Sequence, residues 1–205
     1  MVNRQLTALA LTCSLKASPA RSSTDLLAAQ VLAELAKNGV SGSSLRIADH
    51  DVMAGVETDM GDGDEWPTIR RQLLAADILV LATPTWMGQP SSLCQRVLER
   101  LDAELSETDE QGRLRTFGKV AIAAVVGNED GAHHICAVLF QVLNDVGFSI
   151  PAQAATYWNG EAMQAIDYQD LAATPAKTAA TNAAVAKNAA HLARLLSGEQ
   201  YPAQG

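Results

Sequence analysis

Short apolar runs alternate along this chain with stretches of helical periodicity, and that alternation restricts the fold to a parallel sheet wrapped by helices. The clearest run, Ile78-Leu-Val-Leu-Ala-Thr83, has no polar residue until its end, as expected of a strand buried on both faces. It is the expected sheet centre. Further strands are predicted at 6–12, 44–48 and 120–126, with a fifth at either 148–150 or 154–158. Helices are predicted at 24–38, 67–76, 91–105, 133–146 and 174–196. In the first of these, Leu27, Val31 and Leu35 form one stripe, and Gly39 marks the stop. Pro67 suits a first helical turn. Right-handed crossovers leave few arrangements of five parallel strands, and the doubly wound order 2-1-3-4-5 suits this chain.

The 205 residues suit a single domain spanning 1–205, with an alanine-rich C-terminal helix at 172–197 that could pack on the domain or on a second subunit. A 48% hydrophobic share supplies a core and argues against disorder. The net charge of −8 repels phosphate backbones and anionic lipid surfaces, so neither nucleic acid nor a membrane is an expected partner. Cys13, Cys94 and Cys136 stand far apart without C-x-x-C spacing, which disfavours a metal cluster or disulfide framework and fits a reducing cytoplasm. Arg4 and the apolar stretch before Cys13 have the outline of a short secretory signal. That stretch is at the short end of the ~7–15 residues required, and Lys16 follows at once, so a buried first strand is preferred. No run approaches the ~20 apolar residues of a membrane span.

Three loops at predicted strand carboxyl ends would line one crevice, where open parallel sheets bind ligands. The first, Cys13 to Thr24, crowds Ser14, Ser18, Ser22, Ser23 and Thr24 with Lys16 and Arg21 around a helix amino terminus. Such an end favours an anion. Plain N-capping needs only one of those hydroxyls. Neither G-x-G-x-x-G nor G-x-x-x-x-G-K-[ST] is present, so a monophosphate fits better than a dinucleotide or triphosphate. In the second loop Pro84, Thr85, Trp86, Met87 and Gly88 would display an aromatic ring to a planar ligand, or simply lid the core. The third, Gly127-Asn128-Glu129-Asp130-Gly131, would let backbone approach a flat ligand, or serve as a strand-to-helix turn capped by Asp130.

Other chemistries are disfavoured. His133 and His134 are helix neighbours that point apart, with no third metal ligand evident. Asp59, Asp62 and Asp64 lack the glutamate of a calcium loop, where Arg70 stands instead, and 49–64 reads as a solvated loop. Cys13 and Ser14 sit in no nucleophile motif, so no catalytic residue is assigned.

Over residues 6–155 the three loops, in order and spacing, resemble the flavodoxin-like NAD(P)H-dependent oxidoreductases, the group of NADPH-dependent FMN reductases and quinone reductases. The resemblance implies a flavodoxin-like fold with FMN as cofactor and NAD(P)H as electron donor. The first loop would hold the FMN phosphate, and residues 84–88 would run along the isoalloxazine and ribityl chain. Residues 127–131, with His133 at the next helix start, would lie at the pyrimidine side. Cys13 stands where many relatives have glycine, and the iron–sulfur branch is excluded by its missing cysteine motif. The implied activity is electron transfer from NAD(P)H to a small acceptor such as a quinone or free flavin. An electron carrier of flavodoxin type and a flavin-free binding protein are the alternatives. Relatives often form dimers that complete the flavin pocket, so a homodimer or higher homo-oligomer is expected.

Overall fold

Period-two alternation along the central strands sends their side chains into two separate cores. In the computed structural model, which describes residues 4–163 and 166–203, strand β1 (Leu6–Thr12) turns Leu6, Ala8 and Ala10 to one face and Leu9 and Leu11 to the other. Strands β3 (Ile78–Trp86) and β5 (Val120–Gly127) divide in the same way. The first face carries small residues, including Ala82 and Ala124. Helix α5 (Ala176–Gly198) packs its own alanines, Ala186, Ala189, Ala190 and Ala193, into that layer beside α1 (Ser23–Lys37). The alanine face therefore packs on its own fold. The opposite face is filled by bulkier groups, among them Trp66, Leu98 and Leu139. They come from α2 (Trp66–Ala75), α3 (Ser92–Leu101) and α4 (Ala132–Asp145).

With β2 (Val40–Arg46), β4 (Gln89–Pro90) and β6 (Ala155–Asn159), the sheet runs β2-β1-β3-β5-β6, all parallel, and the two-residue β4 turns back antiparallel on the end of β3. The flavodoxin-like order predicted for five parallel strands is present once that short strand is set aside.

Three boundaries need correction. β2 begins at Val40 rather than 44, because Gly39, at φ +74°, ends α1 and delivers the chain straight into the sheet. The central strand does not stop at Thr83. It runs on to Trp86, with Pro84 in register with Val126 and Thr85 opposite Pro90. The predicted helix 91–105 divides after Leu101 into α3 and a 3-10 turn, Asp102–Ser106, which buries Glu104 against Arg70 through bonds of 2.5 and 3.1 Å. Of the two candidate fifth strands the later one forms, and Ser149 keeps only an isolated bridge to Val120.

The acidic stretch 49–64 is not wholly solvated. The Asp64 side chain is fully buried, 2.7 Å from the buried Arg100 guanidinium. It also receives the N–H groups of Met53, Met60 and Trp66. Burial pushes its pKa up, but the Met60 N–H, the Arg100 guanidinium and the other donors outweigh this and hold it below the ordinary carboxylate value. Among the described residues no cluster of His, Cys, Asp or Glu could hold a metal ion, and no helix is long and apolar enough to cross a membrane.

Candidate functional site

The carboxyl ends of β1, β3, β5 and β6 open on a cleft of about 440 Å³. Its cationic end is built by the first loop. Ser22, extended at φ −142°, caps α1 by accepting the Asp25 N–H at 3.2 Å. One hydroxyl thus suffices for the cap, while Ser14, Ser23 and Thr24 also line the cleft. The first turn of any helix leaves N–H groups that the helix itself cannot pair. Lys16 lines the same end, and its exposed ammonium has no partner among the described residues. Arg21 reaches the cleft wall but donates to Asp170 at 2.9 Å and to the Gln169 carbonyl at 2.7 Å.

Ser18 lies outside the cleft. Its N–H and hydroxyl both donate to Asp49, at 2.6 and 2.7 Å. The Ser18 hydroxyl first, and then its N–H, lower the Asp49 pKa. Arg46, the last residue of β2, holds the loop from below by donating to the Lys16 and Ala20 carbonyls at 3.1 and 2.9 Å and to Asp25. Cys13 is fully buried, with its carbonyl accepting from the Ser91 hydroxyl at 2.7 Å and its thiol pKa raised by burial. An inert thiol under the loop is the physical reading of that position.

The second segment is a strand end and hairpin rather than a free loop. Pro84, Thr85 and Trp86 line the cleft from β3, with Trp86 54% exposed. Met87 (φ +52°) and Gly88 (φ +73°) form the turn onto β4 and lie off the cleft. The Met87 N–H donates to Glu129 at 2.8 Å, which ties the second segment to the third.

In the third segment Gly127, Asn128 and Glu129 line the cleft. A Cβ on Gly127 would lie 2.7 Å from the Thr85 Cβ, so glycine there lets the end of β5 pack closely on β3. Gly131 and Gly88 are in backbone contact: a Cβ on Gly131 would lie 2.7 Å from the Gly88 Cα. Gly131 itself is the N-cap of α4, and Asp130 accepts only the Gly131 N–H, which corrects the expectation that Asp130 caps the helix. Asp130 and Gly131 stand behind the cleft wall. His133 faces away, with Nε2 2.9 Å from the Tyr157 hydroxyl, on a separate groove with Cys136 and Phe140. His134 Nε2 pairs instead with Gln89 at 3.1 Å.

One wall had no sequence signal. The chain after β6 returns over the cleft as a strap, so that Trp158, Ala162, Met163, Asp167, Tyr168 and Gln169 line it. Three ties hold it. Asn128 donates to Asp167 at 2.7 Å, the Tyr168 hydroxyl donates to Gln30 at 2.5 Å, and the Gln169 N–H donates to the Ser23 hydroxyl at 3.2 Å. Tyr168 also packs on Trp158, with ring centroids 5.4 Å apart.

The cleft therefore has a donor-rich cationic end and a flat end between Trp86, Gly127 and Trp158. An elongated ligand with an anionic tail and a planar head matches that arrangement. The residues present fit a flavin phosphate.

The profile of the family described as NADPH-dependent FMN reductase matches residues 7–164. The chain is 32% identical over 208 residues to the 8-demethyl-8-aminoriboflavin-5'-phosphate synthase of Streptomyces davaonensis, covering 96% of this chain and 80% of that protein. The solved structure of RosB with a bound intermediate, 8-demethyl-8-formylriboflavin-5'-phosphate, superposes with a TM-score of 0.85 at 32% identity, over 96% of this chain and 82% of that one. A region 39% identical, covering 80% of this chain, occurs in a divalent metal cation transporter of Mycobacterium bovis, of which the chain spans only 25%. An apo NADH:FMN oxidoreductase shares the fold, with a TM-score of 0.65 at 20% identity over 95% of this chain and 91% of that one.

Proposed function

The chain belongs to the NADPH-dependent FMN reductase family, and from that premise we propose that it binds FMN in this cleft and passes electrons from NAD(P)H to a small acceptor such as a quinone or free flavin. The observation that carries the reading is one cleft holding both a helix amino terminus, with Lys16 beside it, and a flat aromatic end. Ser14, Ser22, Ser23, Thr24 and Lys16 would hold the phosphate, and Trp86, Asn128 and Glu129 would border the ring. Bound flavin supplies the redox chemistry. The protein's part is to orient it, to exclude water behind Gly127 and Thr85, and to leave one face open at the cleft mouth for donor and acceptor in turn.

Exposed apolar groups line that mouth, with Trp86 54% and Met163 102% exposed. We read them as the face a second copy covers, and a dilution series by light scattering that stays monomeric would remove the dimer from the account. The free, buried Cys13, Cys94 and Cys136 accord with a reducing cytoplasm as the site of action.

The similarity to an aminoriboflavin phosphate synthase favours a second reading, in which the flavin phosphate is itself the substrate. Anaerobic NADPH added to the FMN-loaded protein, with NADH as the second trial, separates the two. Bleaching of the flavin absorbance supports the reductase. No bleaching, with a chemically altered flavin recovered after denaturation, supports the second reading.

A further inference from the structure

The strand register that sets Arg46 opposite Thr12 brings its guanidinium under the first loop of the cleft. Every nitrogen of that guanidinium is engaged. Nη1 donates to the Lys16 and Ala20 carbonyls at 3.1 and 2.9 Å, which closes the loop between them, and Nε and Nη2 both donate to Asp25 Oδ2. With its side chain 11% exposed, Arg46 stands behind the loop and does not line the cleft.

Asp25 lies in the first turn of α1, next after Ser22, Ser23 and Thr24, which do line the cleft. A carboxylate there suits the helix, because it meets the positive end of the dipole. For the same reason it opposes an anionic ligand at that end, since like charges repel. Asp25 Oδ1 is buried and finds no partner among the described residues, so the Arg46 fork on Oδ2 is what offsets the charge. Few cations are to spare in a chain of net charge −8, and Arg21 at the cleft wall is already held by Asp170.

We infer that Arg46 is a positioning residue for the ligand's phosphate: from behind the loop it cancels the Asp25 carboxylate and holds the 16–20 backbone, so that the α1 amino terminus presents a net positive end to an anion. The inference rests on the flavin reading above and extends it to a residue outside the cleft, on a strand that none of the three loops includes. Its signature is selectivity. A charge acting on the phosphate alters FMN and spares riboflavin, which lacks the phosphate, whereas a brace that only holds the fold alters both.

Quenching of flavin fluorescence on the whole chain reads both ligands, with Arg46→Gln, Asp25→Asn and the double variant. Arg46→Gln is expected to weaken FMN by about tenfold at low salt and less at high salt, with riboflavin within about twofold. Asp25→Asn removes the opposing charge and should tighten FMN by about threefold, again with riboflavin unmoved. The double variant, with both charges gone, should return to within about threefold of the wild type. Equal losses of FMN and riboflavin in Arg46→Gln would make Arg46 a brace of the fold. Weaker FMN binding in Asp25→Asn, or a double variant as weak as Arg46→Gln, would mean that the Asp25 charge does not oppose the phosphate. Each of these results overturns the inference. Should Arg46→Gln fail to fold, the Asp25→Asn titration decides alone. FMN affinity unchanged in both single variants overturns the inference and leaves the flavin reading intact, whereas a wild-type protein that takes up no FMN overturns both.

Discussion

Two polar regions at the carboxyl side of the sheet follow opposite rules. In the 49–64 region the chain satisfies itself: Asp64 collects three N–H donors and the Arg100 guanidinium, and Arg100 also donates to the Met53 and Glu57 carbonyls. The orphans left there, Arg100 Nη2 and Trp66 Nε1, line none of the cavities described above. In the cleft, Ser14, Ser22, Ser23 and Thr24 line an open volume, and Lys16 has no partner among the described residues. Acidic residues in a row therefore built a brace, and scattered hydroxyls built a receptor. Pairing within the chain, rather than composition, separates the two.

If the contrast holds, substitutions in the brace cost stability and those in the cleft cost ligand. The largest effect is expected for Asp64→Ala, which strands a buried guanidinium and should destabilise by about 3–5 kcal/mol in urea unfolding. Next comes the pair Trp86→Ala with Ser23→Ala, expected to weaken FMN by more than tenfold while the urea midpoint moves little, because one side chain is half exposed and the other makes a single internal bond. An equal loss of stability in the pair would erase the distinction. Lys16→Glu, a reversal on an exposed side chain, should lower FMN affinity by roughly tenfold at low salt and less at high salt, with riboflavin affinity unchanged. The smallest effect concerns pH. Ser18 depresses the Asp49 pKa, so the Asp49 contribution is present above the ordinary carboxylate range and is lost as pH falls below about 4. The urea midpoints of wild type and Asp49→Asn should differ slightly at pH 7 and draw together as pH falls further below about 4.

The same principle marks what was legible in the sequence. β1, β3 and β5 are buried on both faces, so they had to be written as unbroken apolar runs. β2 is an edge strand with Ser41, Gly42, Ser43 and Ser44 exposed, and it carries no such signature. Proline ordinarily ends a strand, yet Pro84 sits inside β3 at the point where the strand leaves the sheet for its hairpin. In the site, crowding of hydroxyls and cations located the first loop, but nothing in the spacing told that Ser18 is committed to Asp49. The strap was invisible for a different reason. Its ties run from Asp167 to Asn128 and from Gln169 to Ser23, far apart in sequence, and local periodicity carries no trace of them. Asp64 was misread on the same account, since its partner Arg100 lies far along the chain on α3.

The most direct test of the central claim is an absorption titration of purified, flavin-free protein with FMN, in parallel with Asp64→Glu and Lys16→Glu. The account predicts a shifted flavin spectrum that saturates at one FMN per chain, with the titration weakened by Lys16→Glu and unmoved by Asp64→Glu wherever that variant remains folded. No uptake of FMN by the wild-type protein, or saturation indifferent to Lys16, would contradict it.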